Sequence, residues 1–358
     1  MSAIMEFLRF IPLLILPVLA KMPPLITLEE HYASATTPDA MKALFKEQTQ
    51  FLPNVMEKLT NLSSLRLSDM DKGDVTIQVV SHAAGLGSYP VNYSRSANDQ
   101  VYEAVKNAKG RLAGFATAPM SQPAEAAAEF RRAVAELGFV GALVDNHDGK
   151  GGYFDGKEYD AFWAVAEEFD VPVYLHPTWP SEDMAPRYQG NFDPIAANSL
   201  GSSGWGWHQD TGLHVLRLFA SGLFDRRPKL KIIAGHMGEM IPFMLQRIDR
   251  LSGRWSTAQR NFTTVYRENI YVTTSGVWSL DPMRCILANT PIDHILYSID
   301  YPFTSNEVGL AWFKELEASG LVDQEQLEAI AYKNAEKLLR IKVDDVKGNC
   351  THGTAWQG

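Results

Sequence analysis

Glutamate and histidine side chains that could bind a metal occur close together near the start of the sequence. The apolar run "LITL" at residues 25–28 ends in Glu29, Glu30 and His31. Alternate side chains share one face of a strand, so Glu29 and His31 point to one side and Glu30 to the other. A Glu-x-His pair on one face is either a surface ion pair or two ligands of a metal site.

Two further candidate ligands follow other apolar runs. "YLHP" carries His176 and "SIDYPF" carries Asp300, and each is followed within two residues by a proline. With Glu29 and His31 they offer two imidazole nitrogens and two carboxylate oxygens. This set suits Zn²⁺ or Mn²⁺ better than Ca²⁺ or Mg²⁺. The sequence therefore predicts one divalent metal ion, held by all four residues.

A second metal ion is not expected. Two-metal sites of this kind need a bridging group, commonly a lysine at the end of the fourth strand. The corresponding run here ends in Val144, Asp145 and Asn146, and it contains no lysine.

Histidine and glutamate occur together again in "GHMGE", where His236 and Glu239 are three residues apart. Residues at this spacing on a helix share a face and can hydrogen bond. Either the glutamate orients the imidazole above the metal, or the pair caps the start of a helix. The predicted metal site favours the first interpretation.

The elements that would position these residues are eight short apolar runs separated by amphipathic helical stretches. This alternation predicts an α/β fold with a parallel sheet. Eight strands in one series favour a (β/α)8 TIM barrel over residues 22–342, and no Gly-x-Gly-x-x-Gly follows the first strand to indicate a dinucleotide fold. The predicted strands are 25–31, 75–82, 111–119, 139–146, 171–177, 230–236, 269–276 and 294–300.

Polar residues cluster at the carboxyl ends of these strands, where TIM barrels carry their chemistry. Any one strand-end histidine is more often a hydrogen-bonded loop anchor than a ligand. Closing the barrel brings all the ends around one pocket, however, and unpaired ionisable groups there would be costly. The strand-end residues are Glu29, His31, His82, Asn146, His176, His236, Ser275 and Asp300.

The composition restricts the class of protein and the kinds of partner that the chain can have. The chain has 358 residues, 46% hydrophobic and 21% charged, which is typical of a globular protein with a large core. Its net charge of −9 argues against a nucleic-acid surface. Two cysteines, Cys285 and Cys350, do not make a disulfide framework.

The two ends of the chain are expected to lie outside the barrel. Residues 1–21 form a hydrophobic leader whose apolar part, residues 10–20, is too short to span a bilayer. It is either a signal peptide or anchor, or a non-native start preceding Met22. A cytoplasmic location is expected, or the secretory pathway if residues 1–20 are a signal peptide. Residues 343–358 form a polar tail.

At these residues the sequence resembles a known family, the metal-dependent decarboxylases of the amidohydrolase superfamily. It is similar to γ-resorcylate, 2,3-dihydroxybenzoate and salicylate decarboxylases, and the matching segments run in the same order from about residue 25 to 342. Typical amidohydrolases open with His-x-His, whereas Glu29-x-His31 is the decarboxylase-type variant. The segments are "LEEHYA", "ELGFVGALVDN", "FDVPVYLHP", "GLHVLRLFASGLFD", "KLKIIAGHMGEMIPFMLQRID", "YVTTSG" and "ILYSIDYPF".

The resemblance implies a carboxy-lyase that removes CO2 from a small aromatic acid bearing an ortho-hydroxyl group, without redox chemistry. Substrate carboxylate and hydroxyl would chelate the ion, and Asp300 would protonate the ring carbon. His236, held by Glu239, would orient the substrate or stabilise its charge. Phe303 would line the ring pocket.

Other positions depart from the family pattern and are candidates for setting the substrate. His82 stands where resorcylate-type enzymes carry asparagine, and His208, Trp205 and Trp207 are distinctive. Family members associate as homodimers or homotetramers, so Arg247 of "QRID" could approach a neighbouring site. Two alternatives stay open: a hydrolase that opens a lactone or amide through metal-bound water, and a binding protein with a vestigial site.

Overall fold

Eight parallel strands follow one another in sequence order in the computed structural model, which describes residues 22–255 and 259–346. The predicted leader, 1–21, and the last part of the predicted tail, 347–358, lie outside the described residues. The strands are β1 (Leu25–Tyr32), β2 (Val75–His82), β3 (Leu112–Gly114), β4 (Ala142–Asp145), β5 (Val173–His176), β6 (Ile232–Ala234), β7 (Ile270–Thr273) and β8 (Ile295–Leu296).

The strands close into a barrel through two short seams. Strands β1 to β3 form one parallel sheet and β4 to β8 another, each with neighbours in chain order. Single parallel bridges, Ala116 to Ala142 and Glu30 to Tyr301, join the sheets at both edges. The predicted (β/α)8 barrel is confirmed. Its later strands are shorter than predicted, because the predicted runs include residues that have already left the ladder.

Helices connect successive strands and cover the outside of the barrel. No helix among the described residues is long and apolar enough to cross a bilayer. The longer helices are Ser64–Lys72, Val91–Asn107, Pro123–Ala135, Asp160–Glu168, Pro194–Gly201, Gly206–Ala220, Ile241–Ser252, Phe262–Asn269, Leu280–Asn289 and Asn306–Ser319. Shorter ones are Asp39–Lys42, Lys46–Phe51, Val55–Leu59, Leu223–Arg226, Gln324–Glu328 and Asn334–Leu339, with a π-helix at Ala329–Lys333.

Apolar side chains that point inward from the strands fill the barrel below the site. They form one buried cluster, closed at the bottom by Leu338 and Leu339, against which Val343 and Val346 also pack. The outward-facing side chains join a second, larger cluster with the helices. The inward set from the strands and the residues just after them is Ile26, Leu28, Ile77, Val79, Ala113, Phe115, Leu143, Tyr174, Ile233 and Leu296.

A β-bulge in β1 decides which side chains reach the mouth of the barrel. Thr27 pairs with Gln78 and Glu30 with Val80, so β1 holds one residue more than β2 over this stretch. A bulge of this kind reverses the alternation of side chains. Leu28 packs in the inward apolar cluster. The next residue, Glu29, also points inward, where it accepts a hydrogen bond from Tyr174.

Candidate active site

Three of the four predicted ligands lie together at the carboxyl ends of β1 and β5. Glu29, His31 and His176 are buried, and each offers one ligand atom within 4.8 Å of the other two. Asp300 follows β8, and its Oδ1 lies 3.3 Å from His31 Nε2. The structure therefore brings together residues that are up to 271 positions apart in the chain.

Unsatisfied polar atoms show that this group fits a metal ion. Within the described part of the chain, Glu29 Oε1, both ring nitrogens of His31 and His176 Nδ1 have no hydrogen-bond partner. His176 Nε2 is 3.1 Å from Glu29 Oε1, but without hydrogen-bond alignment. Each buried polar atom left without a partner costs about 1–3 kcal/mol. A divalent ion bound by imidazole nitrogen and carboxylate oxygen would remove that penalty.

The other oxygen of Glu29 is held firmly in place. Tyr174 and Ser275 both donate their hydroxyl hydrogens to Glu29 Oε2. Burial alone would raise the pKa of Glu29, but the charge of His236 and the proximity of His176 hold that pKa well below its usual range. Glu29 is therefore a fixed carboxylate. Sequence reasoning missed Tyr174, although its position two residues before His176 placed both on the same face of β5.

Burial disfavours the charged form of each neighbouring group, so it lowers the pKa of a histidine and raises the pKa of a carboxyl group. Burial, with the nearby His176, lowers the pKa of His31 well below its usual value. Burial and the negative charge of Glu29 raise the pKa of Asp300 to about 8. For His176, the carboxylate of Glu29 outweighs the effect of burial and raises the pKa.

Gly235 lets the backbone of β6 approach these groups. A Cβ atom at this position would lie 2.8 Å from Tyr174 Oη and 3.0 Å from Glu29 Oε2. The first contact is closer than Cβ atoms approach other atoms in folded proteins, and the second is tighter than usual. The absence of a side chain is therefore a condition for Tyr174 to bond Glu29.

His236, Glu239 and His208 form a hydrogen-bonded chain beside the metal group. His236 Nδ1 lies 2.7 Å from Glu239 Oε1, and His208 Nδ1 lies 2.9 Å from Glu239 Oε2. His236 Nε2 faces inward, 3.6 Å from Glu29 Oε1. Burial opposes charge on His236, but Glu29 and Glu239 together raise its pKa to about 10.

The predicted helical reason for the His236–Glu239 contact is wrong. The four non-glycine residues of the segment 236–240 have φ between 48° and 65°, Gly238 has a φ of 88°, and the helix begins only at Ile241. The two side chains meet because this left-handed turn folds the chain back on itself. Glu239 does not cap the helix, since its oxygens bond the two imidazoles.

A cavity of about 240 Å³ opens beside the metal group. It is smaller than the ~300–1,000 Å³ of sites for drug-sized ligands, which favours a single-ring ligand. Phe303 lies on its wall, with its ring centroid 5.7 Å from that of His31. The lining residues are Phe45, Gln48, Leu52, Ala84, His176, Trp179, Ser203, Trp207, His208, His236, Gly276, Asp300, Phe303 and Thr304.

The comparisons with known proteins agree with this geometry. A family profile described as "Amidohydrolase" matches residues 68–341. The chain is 51% identical over 325 residues to "Decarboxylase orsB" of Emericella nidulans, which covers 89% of this chain and 98% of that one. This chain belongs to the amidohydrolase family. The predicted kinship with its decarboxylases is confirmed, and so is the prediction of a carboxy-lyase.

Solved structures of decarboxylases superpose on this amidohydrolase over almost their whole length. A crystal structure of 2,6-dihydroxybenzoate decarboxylase with 2,6-dihydroxybenzoate has a TM-score of 0.79 and 32% identity, covering 89% of this chain and 100% of that one. A dihydroxybenzoic acid decarboxylase of Polaromonas sp., with bound manganese and 2-nitroresorcinol, has a TM-score of 0.80 and 31% identity, covering 91% and 100%.

His82 does not face the cavity of this amidohydrolase, so the prediction that it contacts substrate is corrected. Along β2, Val79 packs in the inner apolar cluster and Val80 in the outer one. His82 is two residues after Val80, so it also points outward. Its Nε2 lies 3.0 Å from Ser34 N and from Thr37 Oγ1, and its Nδ1 lies 2.8 Å from Ala83 O. It anchors the loop after β1.

Arg247 is also remote from the cavity of its own chain. It is exposed on the outer side of the helix Ile241–Ser252. The cavity is lined instead by aromatic side chains that sequence reasoning did not single out. These are Phe45, at the end of the short 3₁₀ helix Ala43–Phe45, and Trp179, in the loop after β5.

Glu30 points away from the cavity and secures the segment that carries Asp300. It accepts hydrogen bonds from the backbone N–H of Ile299 at 3.1 Å and of Tyr301 at 3.0 Å, on either side of Asp300. Ser298 donates its hydroxyl to the same carboxylate at 3.2 Å. Asp300 itself has a φ of 76°, a conformation that surrounding contacts must maintain.

Proposed function

We propose that this amidohydrolase removes CO2 from a single-ring 2-hydroxybenzoate, using one divalent ion held by Glu29, His31, His176 and Asp300. The observation that carries the proposal is the set of unpaired nitrogen and oxygen atoms that converge beside a small aromatic cavity. When bound, the ion would supply positive charge that holds the acid and stabilises the charge developing in its ring.

Asp300 is the group that gives a proton to the ring. It lies on the cavity wall, with its Oδ1 3.3 Å from His31 Nε2. Transfer of that proton to the carbon bearing the carboxylate breaks aromaticity. Cleavage of the carbon–carbon bond then returns its electron pair to the ring and releases CO2. Asp300 is left as a carboxylate and regains a proton from water.

His236 and the aromatic walls orient the substrate. The imidazole of His236 lines the cavity and is fixed through Glu239. Phe303 and Trp207 flank the space in which a ring would lie and exclude water from it. Exclusion of water strengthens the charge interactions inside the site.

The decisive test is a panel of acids offered to the metal-loaded protein. Salicylate, 2,3-dihydroxybenzoate and 2,6-dihydroxybenzoate, together with 6-alkyl homologues, are incubated with protein containing Zn²⁺ or Mn²⁺. CO2 release and formation of the matching phenol support the proposal. No CO2 from any of these acids, together with ring opening of an added lactone, would contradict it and indicate a hydrolase instead.

Metal removal supplies the control for that panel. Dialysis against a chelator should abolish CO2 release, and adding back one equivalent of Zn²⁺ or Mn²⁺ should restore it. The manganese in the Polaromonas enzyme supports Mn²⁺ as the first ion to try. Turnover that survives complete metal removal would rule out the proposed use of the ion.

We also propose that the chain assembles as a homodimer or homotetramer. Large apolar side chains are exposed around the cavity mouth, and Phe243 is 82% exposed. They lie on and beside the helix that carries Arg247, which would then approach a neighbouring copy. Light scattering should show a dimer or tetramer that Phe243→Asp dissociates; a monomeric parent protein would contradict this. The side chains concerned are Trp205, Met240, Phe243 and Met244.

A further inference from the structure

His208 stands out because both of its ring nitrogens face oxygen atoms that only accept hydrogen bonds. Its Nδ1 lies 2.9 Å from Glu239 Oε2, and its Nε2 lies 3.0 Å from the carbonyl oxygen of Ser203. A neutral imidazole has one N–H group, whereas the imidazolium form has two. Both contacts are hydrogen bonds only if His208 carries two protons and a positive charge.

Glu239 depends on this second donor. The side chain is 1% exposed, and its two oxygens accept from His236 on one side and His208 on the other. A buried carboxylate is stabilised when both oxygens are bonded to charged or N–H donors. Without His208, one oxygen of Glu239 would be buried with no partner, and the carboxylate would be free to turn away from His236.

The arrangement joins two different loops of the barrel. His208 lies in the first turn of the helix Gly206–Ala220, within the connection after β5, while His236 and Glu239 belong to the turn after β6. The rings of His208 and His236 are in edge contact, with centroids 4.6 Å apart. His208 thus restrains His236 twice, through Glu239 and through direct packing.

We propose that His208 is a positioning residue that fixes His236 against the cavity through Glu239. The inference rests on the proposed function, since His236 is there the group that orients the substrate. The three side chains could also hold an ion. Their facing atoms, however, are already joined to one another in hydrogen bonds, which favours positioning.

The test compares His208→Ala with His208→Asn in the full-length, metal-loaded enzyme, using an acid that the parent protein decarboxylates. The alanine variant should lose about 10–100-fold in kcat, the usual effect of removing such a support. Its metal content and thermal midpoint should stay close to those of the parent. Asparagine places an N–H donor near the position of Nδ1 and should recover much of the loss.

A matched control is Leu213→Ala, which alters an exposed residue of the same helix and should leave kcat unchanged. Full activity of His208→Ala would overturn the proposal. So would an alanine variant that loses its metal or its fold in step with its activity, or an asparagine variant that recovers nothing.

A measurement independent of turnover separates this proposal from the proposed function. Nitrogen NMR of ring-labelled histidine should show one imidazole whose signals disappear in His208→Ala, while the His236 signals shift. This result would stand even if the parent decarboxylated none of the acids, in which case the proposed function alone would fail. Unchanged His236 signals in the variant would refute the positioning role.

Discussion

Two histidine–glutamate groups lie side by side at the mouth of this barrel, and they differ in how their polar atoms are used. In the inner group, Glu29, His31 and His176 leave ring nitrogens and a carboxylate oxygen without partners within the part of the chain described. In the outer group, the two oxygens of Glu239 are both bonded, to His208 and His236.

The difference separates a group whose atoms can still bind a ligand from one whose facing atoms already bond each other. Buried polar atoms are almost always paired in folded proteins, so unpaired ones need an explanation. The inner group is explained by a metal ion, and the outer group needs none. Similar residue types therefore do different work, and the pairing of their atoms tells the two groups apart.

The largest expected effect comes from Asp300, which joins the inner group from β8. Asp300→Asn keeps the size of the side chain but removes the proton that it donates, so turnover should fall by about 100-fold to 10,000-fold or more. The rate of CO2 release measures this. Asp293→Asn, at the opposite end of β8, should be near the parent rate, and an active Asp300→Asn would contradict the assigned role.

Removal of one imidazole from the inner group should affect the metal directly. His176→Ala should reduce metal content by about 10-fold or more at limiting ion, because three ligands hold Zn²⁺ or Mn²⁺ far less tightly than four. Elemental analysis gives the stoichiometry. His82→Ala should retain its ion, since that side chain points away from the cavity, and unchanged metal in His176→Ala would remove His176 from the ligand set.

Glu29 and Glu30 are adjacent in the chain, but only Glu29 belongs to the inner group. Burial raises the pKa of Glu30 to about 8, while the imidazoles lower that of Glu29. Glu30→Gln should keep the metal but lower kcat by about 10-fold, because an amide can accept from fewer of the backbone N–H groups that flank Asp300. Glu29→Gln should lose the metal. Equal metal loss in both variants would show that Glu30 also belongs to the inner group.

The smallest effect is expected from the hydroxyl groups that hold Glu29. Ser275→Ala removes one of two donors to Glu29 Oε2 and leaves Tyr174 in place, so the ion should bind only a few-fold more weakly. Tyr174→Phe should weaken it more, since this phenol also contacts Thr273 at 2.8 Å. Competition with a fluorescent chelator would measure both values, and the reverse order would contradict this ranking.

Most of the fold, and the polar residues at the strand ends, could be predicted because both follow from local patterns. The β1 and β2 boundaries agree with the structure to within one residue, and the polar residues at their ends follow from parallel strands sharing one edge. The orientation of His82 depends on which alternate residues of β2 point into the barrel. This choice is set by the pairing of β2 with β1, which carries a bulge, and a single sequence does not specify that pairing.

The outer group was only partly accessible to sequence reasoning for a related reason. The run of left-handed residues from His236 to Met240 breaks the expected strand-to-helix transition, and only two glycines mark it. His208 comes from another loop, and no spacing rule connects it with Glu239. Long-range contacts of this kind follow from tertiary packing rather than from local preference.

The seam between β8 and β1 links folding to competence for catalysis. Few backbone contacts cross it, and much of its closure depends on Ser298 and Glu30, side chains that bond residues about 270 positions away. The proposed ligands Glu29 and His31 stand on one edge of this seam, and the proposed proton donor, Asp300, stands on the other. A chain whose ends have not met therefore has no reaction centre at all, so assembly of the last contact and the onset of activity should coincide in time.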